Sequence, residues 1–153
     1  PGSVAVLNAS DPASVSLASA VKGEIEWFSR EDRPLSRGWW FDGSRIFHDG
    51  RPVMDRSRIP LRGLHNVENV MAAAACAHRA GAPLEGIGPA VATFPGVEHR
   101  IEFVRELRGV QYYNDSKATS VDATLKAIDG FDGGLWIILG GKDKGSDYRP
   151  LIA

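Results

Sequence analysis

The chain has 153 residues, 43% apolar and 24% charged, with 18 basic against 19 acidic residues and a formal net charge of −1. That composition fits a soluble globular protein of one ordinary domain or two small halves, and it argues against a disordered segment. The charge balance points to neither nucleic acid nor an acidic membrane as a partner, and no apolar run has the length for membrane insertion.

Cys76 is the single cysteine, so no internal disulfide forms, and a reducing compartment, the cytoplasm, is the expected location. A start at Pro1-Gly2-Ser3, with neither an initiator nor a signal-peptide pattern, raises the expectation of a piece of a larger protein. Val4-Ala5-Val6-Leu7 reads as a short apolar strand. Asp11 before Pro12 is a helix start: a side-chain acceptor for orphan N–H groups, then proline where its missing N–H costs nothing. This helix is expected to run through Val15, Leu17, Ala18 and Val21 and to stop at Gly23.

Between residues 24 and 61 the apolar period falls to two. Ile25, Trp27 and Phe28 mark one strand, Trp39 to Phe41 a second and Ile46-Phe47 a third, with Asp42-Gly43 and Asp49-Gly50 as hairpin turns. Ile59 and Leu61 suggest one more strand. The stretch reads as a small antiparallel meander inserted in an α/β framework, with Trp39-Trp40 packing a thin sheet rather than stacking on a base.

Residues 67–80 form the strongest helix, rich in alanine, with an apolar face of Val67, Val70, Met71, Ala74 and Ala75 and Gly81 at its end. Asn66 is a candidate N-cap, Cys76 reads as buried filler and His78 as an ordinary helix residue. A further helix starts near Pro83, and Phe94-Pro95-Gly96 is a break or hinge. Beyond it come a hairpin turning at Arg108-Gly109, a helix capped by Thr119 or Ser120, and a buried strand Leu135-Trp136-Ile137-Ile138-Leu139 that implies a parallel crossover. Ser146 or Asp147 is placed to cap a last helix. The strands at 4–7 and 136–139 are expected at edges, exposed or paired with another chain.

Four patches carry more polar chemistry than folding needs: Gly63-Leu64-His65-Asn66-Val67-Glu68-Asn69, His99-Arg100, Asn114-Asp115-Ser116-Lys117-Ala118-Thr119 and Gly140-Gly141-Lys142-Asp143-Lys144-Gly145. The third packs a carboxylate, a hydroxyl and an ammonium into a strand-to-helix turn, the edge where open α/β sheets bind ligands. Read singly, these are also ordinary turn formers, surface cations and structural histidines (His65 and His99).

In this order the four patches resemble the Mur ligases of peptidoglycan synthesis. The run Asn-Asp-Ser-Lys-Ala-Thr is similar to that of the members adding D-glutamate, although Ser120 follows where an asparagine is usual. The resemblance implies an α/β fold in two parts. Residues 1–93 would be the later half of an ATP-binding central domain carrying the small meander, and residues 94–153 the first half of a Rossmann-like C-terminal domain.

It further implies an ATP-dependent amide-bond ligase that joins D-glutamate to UDP-N-acetylmuramoyl-L-alanine through an acyl phosphate, with ATP and Mg2+ required. Asn66 and Asn69 would meet adenine, Arg100 the phosphates, Asp115 and Lys117 the ribose and terminal phosphate, and Thr119 and Lys144 the D-glutamate. Lys117 is the implied catalytic residue, and the metal ligands are expected outside these residues. No Gly-x-x-x-x-Gly-Lys-Ser/Thr phosphate loop occurs in the 153 residues, so they are expected to be inactive alone. Two alternatives stay open: a Mur-type ligase with another amino-acid substrate, and a non-catalytic nucleotide-binding or interaction module. An encoded upstream glycine-rich loop ending in Lys-Thr would favour a ligase over the module.

Overall fold

The computed structural model describes residues 2–31 and 37–152. The chain divides into two compact units, one of Pro1–Pro60 with His65–Phe94, the other of Leu61–Leu64 with Pro95–Ala153.

The first unit is built on a five-stranded sheet in sequential order: β1 (Val4–Asn8), β2 (Glu24–Ser29), β3 (Trp39–Phe41), β4 (Arg45–His48) and β5 (Arg51–Asp55). Asp11 caps α1 (Pro12–Leu17), its carboxylate accepting from Ser14 N at 2.9 Å and Ser14 Oγ at 2.7 Å. The helix is shorter than its apolar pattern suggests. It tightens into a 3₁₀ turn at Ala18–Ala20 and ends before Gly23. Gly23 has another reason to be glycine: a Cβ there would sit 1.9 Å from the Ser3 carbonyl oxygen, where the chain lines up for pairing.

β1 and β2 pair in parallel through α1, and β2 continues in parallel with β3 at Phe28↔Trp39 and Ser29↔Trp40. Only β3, β4 and β5 are antiparallel. The expected insert is therefore an extension of the parallel sheet, because period-two alternation reports one buried face and not strand direction. The additional strand is β5, with Pro52 tolerated on an edge; Ile59 and Leu61 lie outside the strands, after a 3₁₀ turn at Arg56–Arg58.

α2 (His65–Arg79) packs on β1, β2 and β3, and α3 (Leu84–Ala92) on β5. Val67, Val70, Met71, Ala74 and Ala75 of α2 are buried with Trp39, Phe41, Ile46 and Met54 of the sheet. Trp39 is 0% exposed and 4.5 Å from the His48 ring, while Trp40 stacks on Phe47 at 4.4 Å. His78 closes the helix end, with Nδ1 3.0 Å from the Ala82 carbonyl, beside Gly81 at φ +102°. Cys76 is exposed, on the face of α2 away from this core, and Asn66 is a residue of the helix rather than its cap.

The second unit holds the hairpin β6 (Glu102–Leu107) and β7 (Val110–Asn114), then α4 (Val121–Ile128). Ser120 is the α4 cap, its Oγ accepting from Ala123 N at 3.2 Å. Residues 135–139 do not form a strand, and no crossover follows α4: Trp136 is 97% and Ile138 99% exposed. A strand needs a neighbour to satisfy its backbone, and among the described residues none pairs with this run. The expected last helix is a 3₁₀ turn, Arg149–Leu151, with Tyr148 and not Ser146 or Asp147 at its cap position. Asp147 instead accepts from the Arg149 guanidinium at 2.7 and 2.8 Å.

Candidate active site

In the first unit, Asn66 and Asn69 lie one turn apart on α2, three residues being one step along a helix face. Asn69 Nδ2 donates to Asn66 Oδ1 at 3.1 Å, and Asn66 Nδ2 lies 3.1 Å from His65 Nε2. Asn66 is only 5% exposed, whereas Asn69 is exposed. The buried amide thus fixes the outer one, which retains a carbonyl acceptor and a second N–H donor.

In the second unit, the hairpin brings two sequence patches into one knot. β6 starts just after His99-Arg100 and β7 ends at Asn114, so residues 98–102 and 114–118 face each other across the open end. His99 N donates to Glu102 Oε2 at 2.8 Å, and Asn114 Nδ2 lies 2.8 Å from His99 Nδ1 and 3.4 Å from Glu102 Oε2. Ile101 N donates to Asp115 Oδ1 at 3.1 Å, and Lys117 N to the His99 carbonyl at 3.0 Å. Asn114 Oδ1 accepts from Ser116 N at 3.1 Å, and Ala118 N donates to the Asp115 carbonyl at 2.9 Å. His99 and Ile101 take positive φ, +64° and +45°, a strain that this clasp holds in place.

Arg100, Lys117 and Thr119 are exposed around the knot. Two cations and a hydroxyl on two segments that Asp115 and the His99 carbonyl tie together suit an anionic ligand that must be oriented as well as bound. Lys144 lies on a separate loop organised by Asp143, which accepts from Gly145 N and Tyr148 Oη, each at 2.9 Å. Those bonds, Gly145 first, hold the Asp143 carboxyl below its ordinary 3.8. Lys144 is exposed, and no hydrogen bond or ion pair ties it to the 114–119 turn among the described residues. His99 and Glu102 as the clasp are what sequence reasoning missed, since the contact spans the whole hairpin and leaves no local pattern.

No protein-family model matches the chain. It is 53% identical over 150 residues to a UDP-N-acetylmuramoylalanine--D-glutamate ligase of Solibacter usitatus, covering 98% of this chain and 34% of that protein. The enzyme of the same name from Acidobacterium capsulatum is 49% identical over 152 residues, covering 95% and 33%. This chain belongs to the Mur ligase family.

The chain spans about a third of the length of these Mur ligases. Among solved structures it is similar to MurF from Acinetobacter baumannii, with TM-score 0.69 at 20% identity over 82% of this chain and 28% of that one. A UDP-N-acetylmuramoyl-L-alanyl-D-glutamate--2,6-diaminopimelate ligase superposes with TM-score 0.60 at 22% identity over 97% of this chain and 33% of the other. At such identities these likenesses carry the mixed α/β Mur ligase fold and nothing finer.

Proposed function

We propose that the protein bearing this chain is the ATP-dependent ligase that adds D-glutamate to UDP-N-acetylmuramoyl-L-alanine in peptidoglycan synthesis. The observation that carries this reading is identity of about half over nearly the whole chain to relatives named for that activity. The knot of residues 98–102 and 114–118 supports it, since the backbone bond from Lys117 N to the His99 carbonyl brings the segments bearing Arg100 and Lys117, cations suited to a phosphoryl transfer, together. When bound, ATP supplies the phosphoryl group that activates the alanyl carboxylate as an acyl phosphate, from which the D-glutamate amine displaces phosphate as the amide forms.

The residues here fit the nucleotide. Asn69, oriented by Asn66, presents an amide that matches the donor and acceptor of an adenine edge. Arg100 meets the phosphates with a planar donor fork, and Lys117 places its ammonium at the terminal phosphate, where charge redistributes during transfer. Asp115 has Oδ1 engaged by Ile101 N, and its other oxygen would accept from the ribose hydroxyls. Thr119 and Lys144 hold the D-glutamate, Lys144 as the ion partner of a carboxylate. The residues do not fit Mg2+: among those described, no group of three or more His, Cys, Asp or Glu is arranged to hold a metal. No step is assigned to the ion on this chain.

Among the described residues no helix is long and apolar enough to cross a membrane. The reading places the enzyme in the cytoplasm, where nucleotide-linked precursors are made. Phosphate release by the full-length gene product, with each substrate omitted in turn, tests it. Release is expected only with ATP, D-glutamate and UDP-N-acetylmuramoyl-L-alanine together. Release that ignores D-glutamate overturns the assignment.

A further inference from the structure

Asn114 closes β7 and opens the turn that carries Lys117, yet the reaction as read above gives it no part. Both polar atoms of its side chain are engaged within the second unit. Oδ1 accepts from Ser116 N at 3.1 Å, while Nδ2 lies 2.8 Å from His99 Nδ1 and 3.4 Å from Glu102 Oε2. A backbone N–H only donates, so the amide oxygen faces Ser116 and the amide nitrogen faces His99.

That orientation decides where the His99 ring carries its proton. A donor 2.8 Å from Nδ1 requires a bare ring nitrogen with its lone pair free, which puts the proton of the neutral ring on Nε2. Glu102 completes the arrangement. Its Oε2 stands 3.4 Å from Asn114 Nδ2, which has a second hydrogen to give, and accepts from His99 N at 2.8 Å. A proton on Nδ1 would set two donors against each other at Asn114, with Glu102 Oε2 as the remaining acceptor at 3.5 Å.

His99 is also the residue on which the Lys117 backbone rests, because its carbonyl accepts from Lys117 N at 3.0 Å. Its φ of +64°, with Ile101 at +45°, is left-handed, a conformation that residues other than glycine keep only where their surroundings hold them. Among the described residues, two side chains restrain His99: Glu102 at its N–H and Asn114 at its ring.

Resting on the reading of Lys117 above, we propose that Asn114 is a positioning residue: oriented by Ser116 N–H, its amide holds the His99 ring as the neutral Nε2–H tautomer and so fixes the carbonyl that receives Lys117 N–H.

The test uses the full-length protein. NMR shifts of the His99 ring nitrogens, assigned against His99→Gln and recorded at alkaline pH, report which nitrogen carries the proton. Wild type is expected to show the Nε2–H form. Asn114→Asp keeps the shape and the bond from Ser116 N but sets an acceptor opposite Nδ1, so its ring should turn to the Nδ1–H form. In that variant kcat should fall about 10- to 100-fold, the loss expected when a reacting group is slightly misplaced. KM for D-glutamate should stay within about twofold, since Lys144 lies on a separate loop. Asn114→Ala, which removes the donor and supplies no acceptor, should show both tautomers and an intermediate kcat; thermal melts establish that each variant is folded. An Nδ1–H ring in wild type overturns the proposal without recourse to any variant. A switched tautomer in folded Asn114→Asp, or mixed tautomers in folded Asn114→Ala, with kcat unchanged also overturns it. Wild-type kcat in Lys117→Ala instead strikes the reading on which the proposal rests, and the two failures are thereby told apart.

Discussion

Lys117 and Lys144 are both exposed lysines in turns, so what distinguishes them is what each would face. If Lys144 holds a carboxylate that takes no part in the reaction, Lys144→Ala removes uniform binding, and KM for D-glutamate rises by about 10- to 150-fold with little change for ATP. Lys117→Ala removes a charge needed most in the transition state, so kcat falls. Lys142 is the control; a KM effect at Lys142 and none at Lys144 places the ligand two residues earlier. A second pair separates along burial. Asn66→Ala deletes a buried amide and is expected to cost about 1–3 kcal/mol of stability. Asn69→Ala, at an exposed site, stays within about 0.5 kcal/mol of wild type while weakening ATP binding. Thermal melts with nucleotide titrations check this, and equal stability losses would contradict it. The Asn-Asp-Ser-Lys turn was legible because its chemistry is local. The clasp of His99 and Glu102 on Asn114, and the stacking of Arg62 on Tyr113 and Phe131, depend on distant chain segments meeting, which no spacing rule reports.

At the scale of elements, turns and caps were the most legible features because their chemistry is set by one or two residues. Both two-residue hairpin loops, Asp49-Gly50 and Arg108-Gly109, have positive φ throughout, the geometry that matches strand twist. The Asp11 cap makes a testable case. The Ser14 hydroxyl and N–H, with Ala13 N, lower its carboxyl below the ordinary 3.8. A lowered folded-state value means the carboxylate stabilises the fold above pH 3.8, and that contribution is lost as pH falls through the lower value. Asp11→Asn keeps a capping oxygen but does not titrate. The stability difference between wild type and Asp11→Asn, followed by denaturant melts, should therefore shift against wild type below pH 3.8 and stay flat above it. A difference constant from pH 3 to 7 would contradict the cap's role. What was misjudged at this scale needed partners: the direction of β2 and β3, and the run 135–139, whose apolar sequence suits a strand that none of the described residues pairs.

For the whole molecule, burial is unevenly shared. The fully buried apolar side chains among the described residues, Trp39, Ile46, Met71 and Val67 the largest, all belong to the first unit. The second unit leaves Phe103, Val104, Val110 and Tyr112 exposed. Protection follows buried contacts. In the 153-residue chain, amides of α2, β3 and β4 should exchange at least about tenfold more slowly than those of β6, β7 and α4; equal protection would show a core in the second unit that its burial does not provide. The contact division falls between Phe94 and Pro95, whereas the excursion of Leu61–Leu64 into the second unit leaves no sequence signal, because it depends on where Tyr113 and Phe131 end up. The proposed function turns on the amino acid joined. The full-length protein, incubated with ATP, UDP-N-acetylmuramoyl-L-alanine and an equimolar mixture of D-glutamate, L-glutamate, meso-diaminopimelate and D-alanyl-D-alanine, can be assayed by mass spectrometry and chiral analysis of the product. The proposed function predicts a single new amide carrying D-glutamate. A product carrying any of the others, without D-glutamate, contradicts it.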